Sequence, residues 1–194
     1  MKTKTSSRKK TSSPKTKSGK SKTNFRGIVL LGFMGAGKTS VASLLAEKLN
    51  CQGIDLDEII ETSERKSISE LFEKFGEEVF REIEAAALRE VLASKTVRVI
   101  ALGGGAWTIE ENRQAARDSG FASVWLDAPF ELCWARIKKE NGLRPLATKK
   151  TEARKLFNKR QKIYTESDLR IEIAEHDSPE TIAEKILQSI ETSI

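Results

Sequence analysis

Histidine and cysteine are scarce in this chain of 194 residues, which has one histidine and two cysteines. Cys51 and Cys133 form no metal-ligand spacing, and two isolated thiols suit a reducing compartment better than a disulfide-stapled fold. His176 stands in a turn before the last helical stretch and reads as a solvent-facing loop residue, not a catalyst. Aromatic residues make up 6% of the chain, and Trp107, Trp125 and Trp134 do not alternate with basic residues. The stacking platform of a single-strand nucleic-acid binder is therefore missing. No apolar run is long enough to span a bilayer or to serve as the h-region of a signal peptide. There is no internal repeat. The expectation is a soluble cytoplasmic protein with no membrane and no specific nucleic-acid partner.

Acidic residues are absent from the start of the chain. Residues 2–24 hold nine of the 34 Lys and Arg and no Asp or Glu, so a whole-chain charge of +6 conceals a net charge of −3 over residues 25–194. The same stretch is crowded with Ser and Thr and has no apolar residue beyond Met1. It cannot bury enough surface to repay the entropy of ordering. Residues 1–24 are thus expected to be a disordered basic tail, and residues 25–194 a single domain.

What is present begins with Gly32-Phe33-Met34-Gly35-Ala36-Gly37-Lys38-Thr39, set between the apolar run 28–31 and an amphipathic stretch from Val41 to Leu49. Strand, glycine-rich loop and helix start are the setting in which G-x-x-x-x-G-K-T curls backbone N–H groups round a phosphate. The lysine then lies beside the β- and γ-phosphates, and the threonine hydroxyl is offered to magnesium. A nucleoside triphosphate at the end of the first strand follows.

Strands then alternate with helices, which implies βαβ units, a parallel sheet and ligands at the carboxyl ends of the strands. Residues 53–57 read as a short strand ending in the carboxylates Asp55 and Asp57. Residues 69–75 and 76–92 read as helical, the second with Val79, Phe80, Ile83, Ala87, Leu88 and Val91 at helical spacing. Arg81 and Glu84, three apart, can pair on another face of that helix. Residues 97–102 are a buried strand ending at Gly103-Gly104-Gly105, where something can approach the backbone closely, or the chain merely turns. Residues 108–119 and 130–139 read as helices on either side of strand 122–126. Residues 141–151 lose periodicity and carry Arg144, as a mobile lid or a solvated connection would. Helix 152–166 has Arg160 and Tyr164 at i, i+4, strand 169–173 alternates, and Ser178-Pro179-Glu180 opens a last helix.

These motifs, in this order, resemble shikimate kinases: the phosphate loop, Asp55-Leu56-Asp57-Glu58, Phe75-Gly76-Glu77 with Phe80-Arg81-Glu82-Ile83-Glu84, Leu102-Gly103-Gly104-Gly105-Ala106, Arg144-Pro145-Leu146, and Arg160 with Tyr164. The likeness spans about residues 25–190. It implies a three-layer α/β P-loop kinase fold, with a five-stranded parallel sheet in order 2-3-1-4-5, helices on both faces and a lid at about 141–153. The implied reaction moves the γ-phosphate of ATP, with Mg2+, to the 3-hydroxyl of shikimate. The small-molecule acceptor and a monomeric state are expectations that the resemblance carries. By resemblance, Gly35, Ala36, Gly37, Lys38, Thr39 and Ser40 hold the phosphates, and Thr39 and Asp55 serve the magnesium. Asp57 holds the attacking hydroxyl, and Arg81 and Arg160 bind the carboxylate, with Glu84 orienting Arg81. Residues Gly103, Gly104 and Gly105 contact the acceptor, and Arg144 reaches the phosphates from the lid. Lys38, Asp57 and Arg144 are the implied catalytic residues. The arginine that stacks on adenine falls at Arg136, with Ile137 the alternative register. Ala147 departs from the family's usual leucine after Arg-Pro-Leu. A gluconate kinase and a non-catalytic kinase-like module are the competing readings.

Overall fold

The computed structural model describes residues 25–139 and 149–192. The basic tail and Arg144 lie outside the described residues. Five strands form one sheet: β1 (Gly27–Leu31), β2 (Gln52–Asp55), β3 (Val97–Ala101), β4 (Phe121–Asp127) and β5 (Leu169–Glu172). Their order is β2-β3-β1-β4-β5 and every pairing is parallel. Seven helices connect and flank them: α1 (Lys38–Lys48), α2 (Leu56–Glu64), α3 (Ile68–Ala93), α4 (Glu110–Asp118), α5 (Phe130–Lys139), α6 (Lys150–Tyr164) and α7 (Pro179–Thr192). A 3-10 turn, Ala106–Thr108, follows β3.

The central strand explains the layering. Alternate side chains of a strand point to opposite faces, and β1 is buried along its whole length. Ile28 and Leu30 pack with Val41, Ala42 and Leu45 of α1, Ile137 of α5 and Ile182 and Ile186 of α7. Val29 and Leu31 pack on the other side with Leu56 and Ile60 of α2, Leu88 and Leu92 of α3 and Trp107. Helix α6 serves both clusters, through Ala153 and Phe157 in the first and Tyr164 in the second. Both faces of a parallel sheet are thus covered, as the crossover connections require.

Three differences from the sequence reading have physical causes. Helix α2 begins at Leu56, so Asp57 sits in its first turn and only Asp55 ends the strand. The Asp55 carboxylate caps the helix by accepting the Asp57 N–H at 2.9 Å. Val79 is exposed despite its helical spacing, because its row of α3, with the half-buried Ile83 and Ala87, runs along the margin of the buried stripe Phe80, Glu84 and Leu88. The interruption of α3 at Gly76, with φ of 80° and ψ of 174°, falls where the two expected helical stretches meet. Helix α6 starts at Lys150, so the last residues of the expected lid are already helical.

Register brings the carboxyl ends of the strands level. Asp55 pairs with Ala101, and Ala101 with Leu30, so the phosphate loop, Asp55 and the triple glycine leave one edge of the sheet together. Close packing of α1 on β2 holds this edge in place. A β-carbon on Gly53 would stand 2.7 Å from the Ala46 β-carbon and 3.1 Å from the Ala42 carbonyl. Replacing Gly53 with Ala is therefore expected to destabilise the protein by about 1–3 kcal/mol, read as a lower urea midpoint; an unchanged midpoint would contradict this packing.

Candidate active site

The phosphate loop is set by backbone before side chains. Gly35 and Gly37 have φ of 77° and 95°, the left-handed region that a β-carbon disfavours. Gly37 caps α1 with no side-chain hydrogen bond, so the first N–H groups of the helix face outward from the loop. Lys38 Nζ donates to the carbonyls of Gly32 at 3.0 Å and Phe33 at 3.1 Å, which lays its ammonium along the loop. Thr39 Oγ1 donates to Asp55 Oδ2 at 2.5 Å. A cavity of about 130 Å³ is lined by Gly35, Gly37, Lys38, Thr39, Ser40, Asp55, Asp57, Leu102 and Gly104.

This cavity opens on a larger one. About 360 Å³ is enclosed by Met34, Phe72, Phe80, Arg81, Glu84, residues 103–105 and Arg160, and it shares Thr39, Asp55, Asp57 and Gly104 with the first. Every acceptor-side residue singled out from the sequence lies on its wall. Each of the three glycines makes room for a different group. A β-carbon on Gly103 would stand 2.6 Å from Asp57 Oδ1 and 2.9 Å from Glu84 Oε1, and one on Gly105 would stand 2.6 Å from the guanidinium carbon of Arg81. A β-carbon on Gly104 would stand 3.1 Å from Arg160 Nη1. Only glycine allows all of these approaches at once.

The charges here are largely desolvated. Arg81 Nη1 donates to Glu84 Oε2 at 2.7 Å and Nη2 to Glu77 Oε1 at 3.2 Å. Its guanidinium carbon lies 5.2 Å from the Phe80 ring centroid and 5.9 Å from that of Phe72, within cation–π range. Burial works against its charge, but Glu84 and Glu77 outweigh it and raise the Arg81 pKa. Arg160 is 5% exposed, and burial lowers its pKa. Glu84 is 1% exposed. Burial pushes its carboxyl up to about 7; Arg81 opposes that shift and the Asp57 charge adds to it. Two arginine forks on one wall, one of them buried, suit a small carboxylate.

On the far side of the loop, Arg136 Nη1 donates to the Gly35 carbonyl at 3.1 Å. Arg136 lines a separate cavity of about 260 Å³ with Gly37, Ser40, Asp177 and Pro179. His176 is exposed beside it. Among the described residues no group of three His, Cys, Asp or Glu side chains could hold a metal. A Thr hydroxyl and a single carboxylate nonetheless fit magnesium that arrives with phosphates, because that ion keeps several waters and uses one or two protein ligands. Glu77 and the Tyr164 hydroxyl, which donates to the Gly104 carbonyl at 2.5 Å, stood in the sequence only as motif residues without a site role, and Phe72 only as one residue of a helical stretch.

Sheet order, phosphate loop and adjoining acceptor pocket together define a P-loop kinase of the nucleoside-monophosphate-kinase type. The narrower identity comes from comparison. The family described as shikimate kinase matches residues 34–191. A shikimate kinase from Persephonella marina is 41% identical over 166 residues, covering 85% of this chain and 99% of the relative. The structure of a shikimate kinase from Acinetobacter baumannii in complex with shikimate superposes with a TM-score of 0.80 at 35% identity, covering 86% of this chain and 93% of that one. The shikimate kinase from Aquifex aeolicus gives 0.72 at 36% identity, with 86% and 96% covered. The chain belongs to the shikimate kinase family. No helix among the described residues is long and apolar enough to cross a membrane.

Glu84 makes stability depend on pH in a defined direction. Its pKa near 7 lies above the ordinary carboxylate value of 4.5, so the folded state binds the proton more tightly than the unfolded state. Its contribution is complete below about pH 4.5 and is lost as pH rises through about 7. Between pH 5 and 8 this loss should be roughly 2–3 kcal/mol. Urea midpoints across that range should fall in the parent protein and stay flatter in Glu84→Gln; identical slopes would reject the assignment.

Proposed function

We propose that this chain uses ATP to phosphorylate the 3-hydroxyl of shikimate, yielding shikimate 3-phosphate and ADP. The observation that carries the reading is the shared wall between the phosphate-loop cavity and the arginine-lined pocket, made by Thr39, Asp55, Asp57 and Gly104. An acceptor held by its carboxylate on Arg81 and Arg160 then presents its ring hydroxyls toward Asp57 and the phosphate loop.

The residues have distinct tasks under this reading. The loop N–H groups of Gly35, Ala36, Gly37, Lys38, Thr39 and Ser40 bind the ATP phosphates. Thr39 and, through water, Asp55 would hold magnesium, which when bound would offset charge on the ATP phosphates. Lys38 leaves the loop carbonyls to follow the charge of the transferring group. Asp57 orients the attacking hydroxyl and receives its proton as the oxygen–phosphorus bond forms and the bond to ADP breaks. Glu84 holds one edge of Arg81, leaving the remaining N–H groups for the acceptor. The Gly103, Gly104 and Gly105 backbone supports the acceptor from below. Arg136 serves the adenine side, and Arg144 adds a cation over the phosphates. Residues 25–194 are the catalytic unit.

One experiment tests both activity and roles. ADP release should depend on shikimate and magnesium, and a chain beginning at Phe25 should turn over at nearly the parent rate. Arg81→Ala and Arg160→Ala should each raise the shikimate KM by about 10–100-fold while leaving the ATP KM within twofold. Absence of shikimate-dependent ADP release would reject the function. An unchanged shikimate KM in both variants would reject the carboxylate site.

A further inference from the structure

We infer that Tyr164 is a positioning residue for acceptor binding: its hydroxyl ties the turn at residues 103–105 to α6 and thereby sets the Gly104 backbone against the Arg160 guanidinium. The inference rests on reading the 360 Å³ cavity as the shikimate site.

Tyr164 is the single tyrosine of the chain. It closes α6 and is 1% exposed, with its ring 6.0 Å from that of Trp125. Its hydroxyl donates to the Gly104 carbonyl at 2.5 Å. One helical turn earlier, Arg160 reaches to 3.1 Å from the β-carbon position of the same glycine. A single helix therefore supplies the cation of the pocket and also fixes the backbone that the cation lies against. The remaining hydrogen bonds of the turn, Ala106 N–H to the Gly103 carbonyl and Thr108 N–H and hydroxyl to the Gly105 carbonyl, close it on itself. Among the hydrogen bonds of the described residues, the Tyr164 bond is the one that joins the turn to α6.

Two physical points give this bond its reach. The peptide between Gly104 and Gly105 is planar and trans, so fixing the carbonyl of one directs the N–H of the other to the opposite side. The orientation of the whole turn follows from one contact. Burial also pushes the Tyr164 hydroxyl up to about 12, so it remains a proton donor throughout the range in which the enzyme can be assayed. The ring supplies the packing, and the hydroxyl, while donating to the Gly104 carbonyl, also lies against the Arg160 guanidinium.

Tyr164→Phe keeps the ring and removes this bond. The shikimate KM should rise about tenfold, with the ATP KM and kcat within about twofold and the variant still folded by thermal unfolding. An unchanged shikimate KM, an equal rise in both KM values, or a loss confined to kcat in proportion to folded protein would overturn the inference. A second measurement needs no variant: wild-type protein carrying 13Cζ-tyrosine gives one resonance, which saturating shikimate should shift. A resonance indifferent to shikimate would also overturn it. These failures, in a wild-type enzyme that phosphorylates shikimate, leave the reading of the pocket standing. A wild-type chain inert toward shikimate would remove that reading and the inference with it.

Discussion

Asp57, Glu84, Arg81 and Arg160 come from three different helices and all press against the backbone of residues 103–105, at distances that exclude a β-carbon on Gly103 and Gly105 and leave one on Gly104 only a tight fit. That steric condition organises the pocket. It lets two carboxylates and two guanidinium groups share one small volume at the end of β3, with the phosphate loop at the end of the neighbouring β1. A side chain at Gly103 or Gly105 would have to displace a charge, a costly exchange in a site where Glu84 is almost fully withdrawn from water.

Electrostatics then determine what the pocket accepts. Arg81 is held at two edges by Glu84 and Glu77 and flanked by Phe72 and Phe80. Its plane is fixed before any ligand arrives, which is the kind of preorganisation that limits the entropy cost of binding. Arg160 is fixed by burial and by the Tyr164 hydroxyl one helical turn away. The carboxyl of Glu84 lies between Arg81 and Asp57, and its raised pKa reflects burial only partly answered by its arginine. The phosphate side is built differently, from backbone N–H groups and one lysine, as suits a polyanion.

Most of the fold was legible because its signals are local. Largely apolar runs of four to six residues ending in glycines or a carboxylate marked the three central strands, and G-x-x-x-x-G-K-T fixed the start of α1. The sheet order came from resemblance, since nothing in spacing alone distinguishes 2-3-1-4-5 from its alternatives. Val79 misled because helical spacing does not separate the centre of a buried stripe from its margin, where Val79, Ile83 and Ala87 lie. In the site, Arg81 and Glu84 could be paired from a separation of three residues, whereas Arg160 lies 79 positions further on and meets them only through the tertiary fold. The triple glycine could be read as room for a close approach or a turn. Which groups use that room is a fact of packing between α2, α3 and α6, and no periodicity carries it. The Tyr164 hydroxyl was hidden for the same reason, as its partner is a backbone carbonyl 60 residues away.

Gly105→Ala tests the steric account most directly. Gly105 has φ of −101° and ψ of −22°, a backbone conformation that alanine adopts freely. The atoms nearest the added methyl belong to the flexible end of Arg81. The variant should still fold, destabilised by about 1–3 kcal/mol as Arg81 loses contact with Glu84, while displacement of Arg81 raises the shikimate KM about tenfold or more and leaves the ATP KM within twofold. A folded Gly105→Ala enzyme with the parent shikimate KM would contradict the claim that the missing side chains of this turn make the acceptor site.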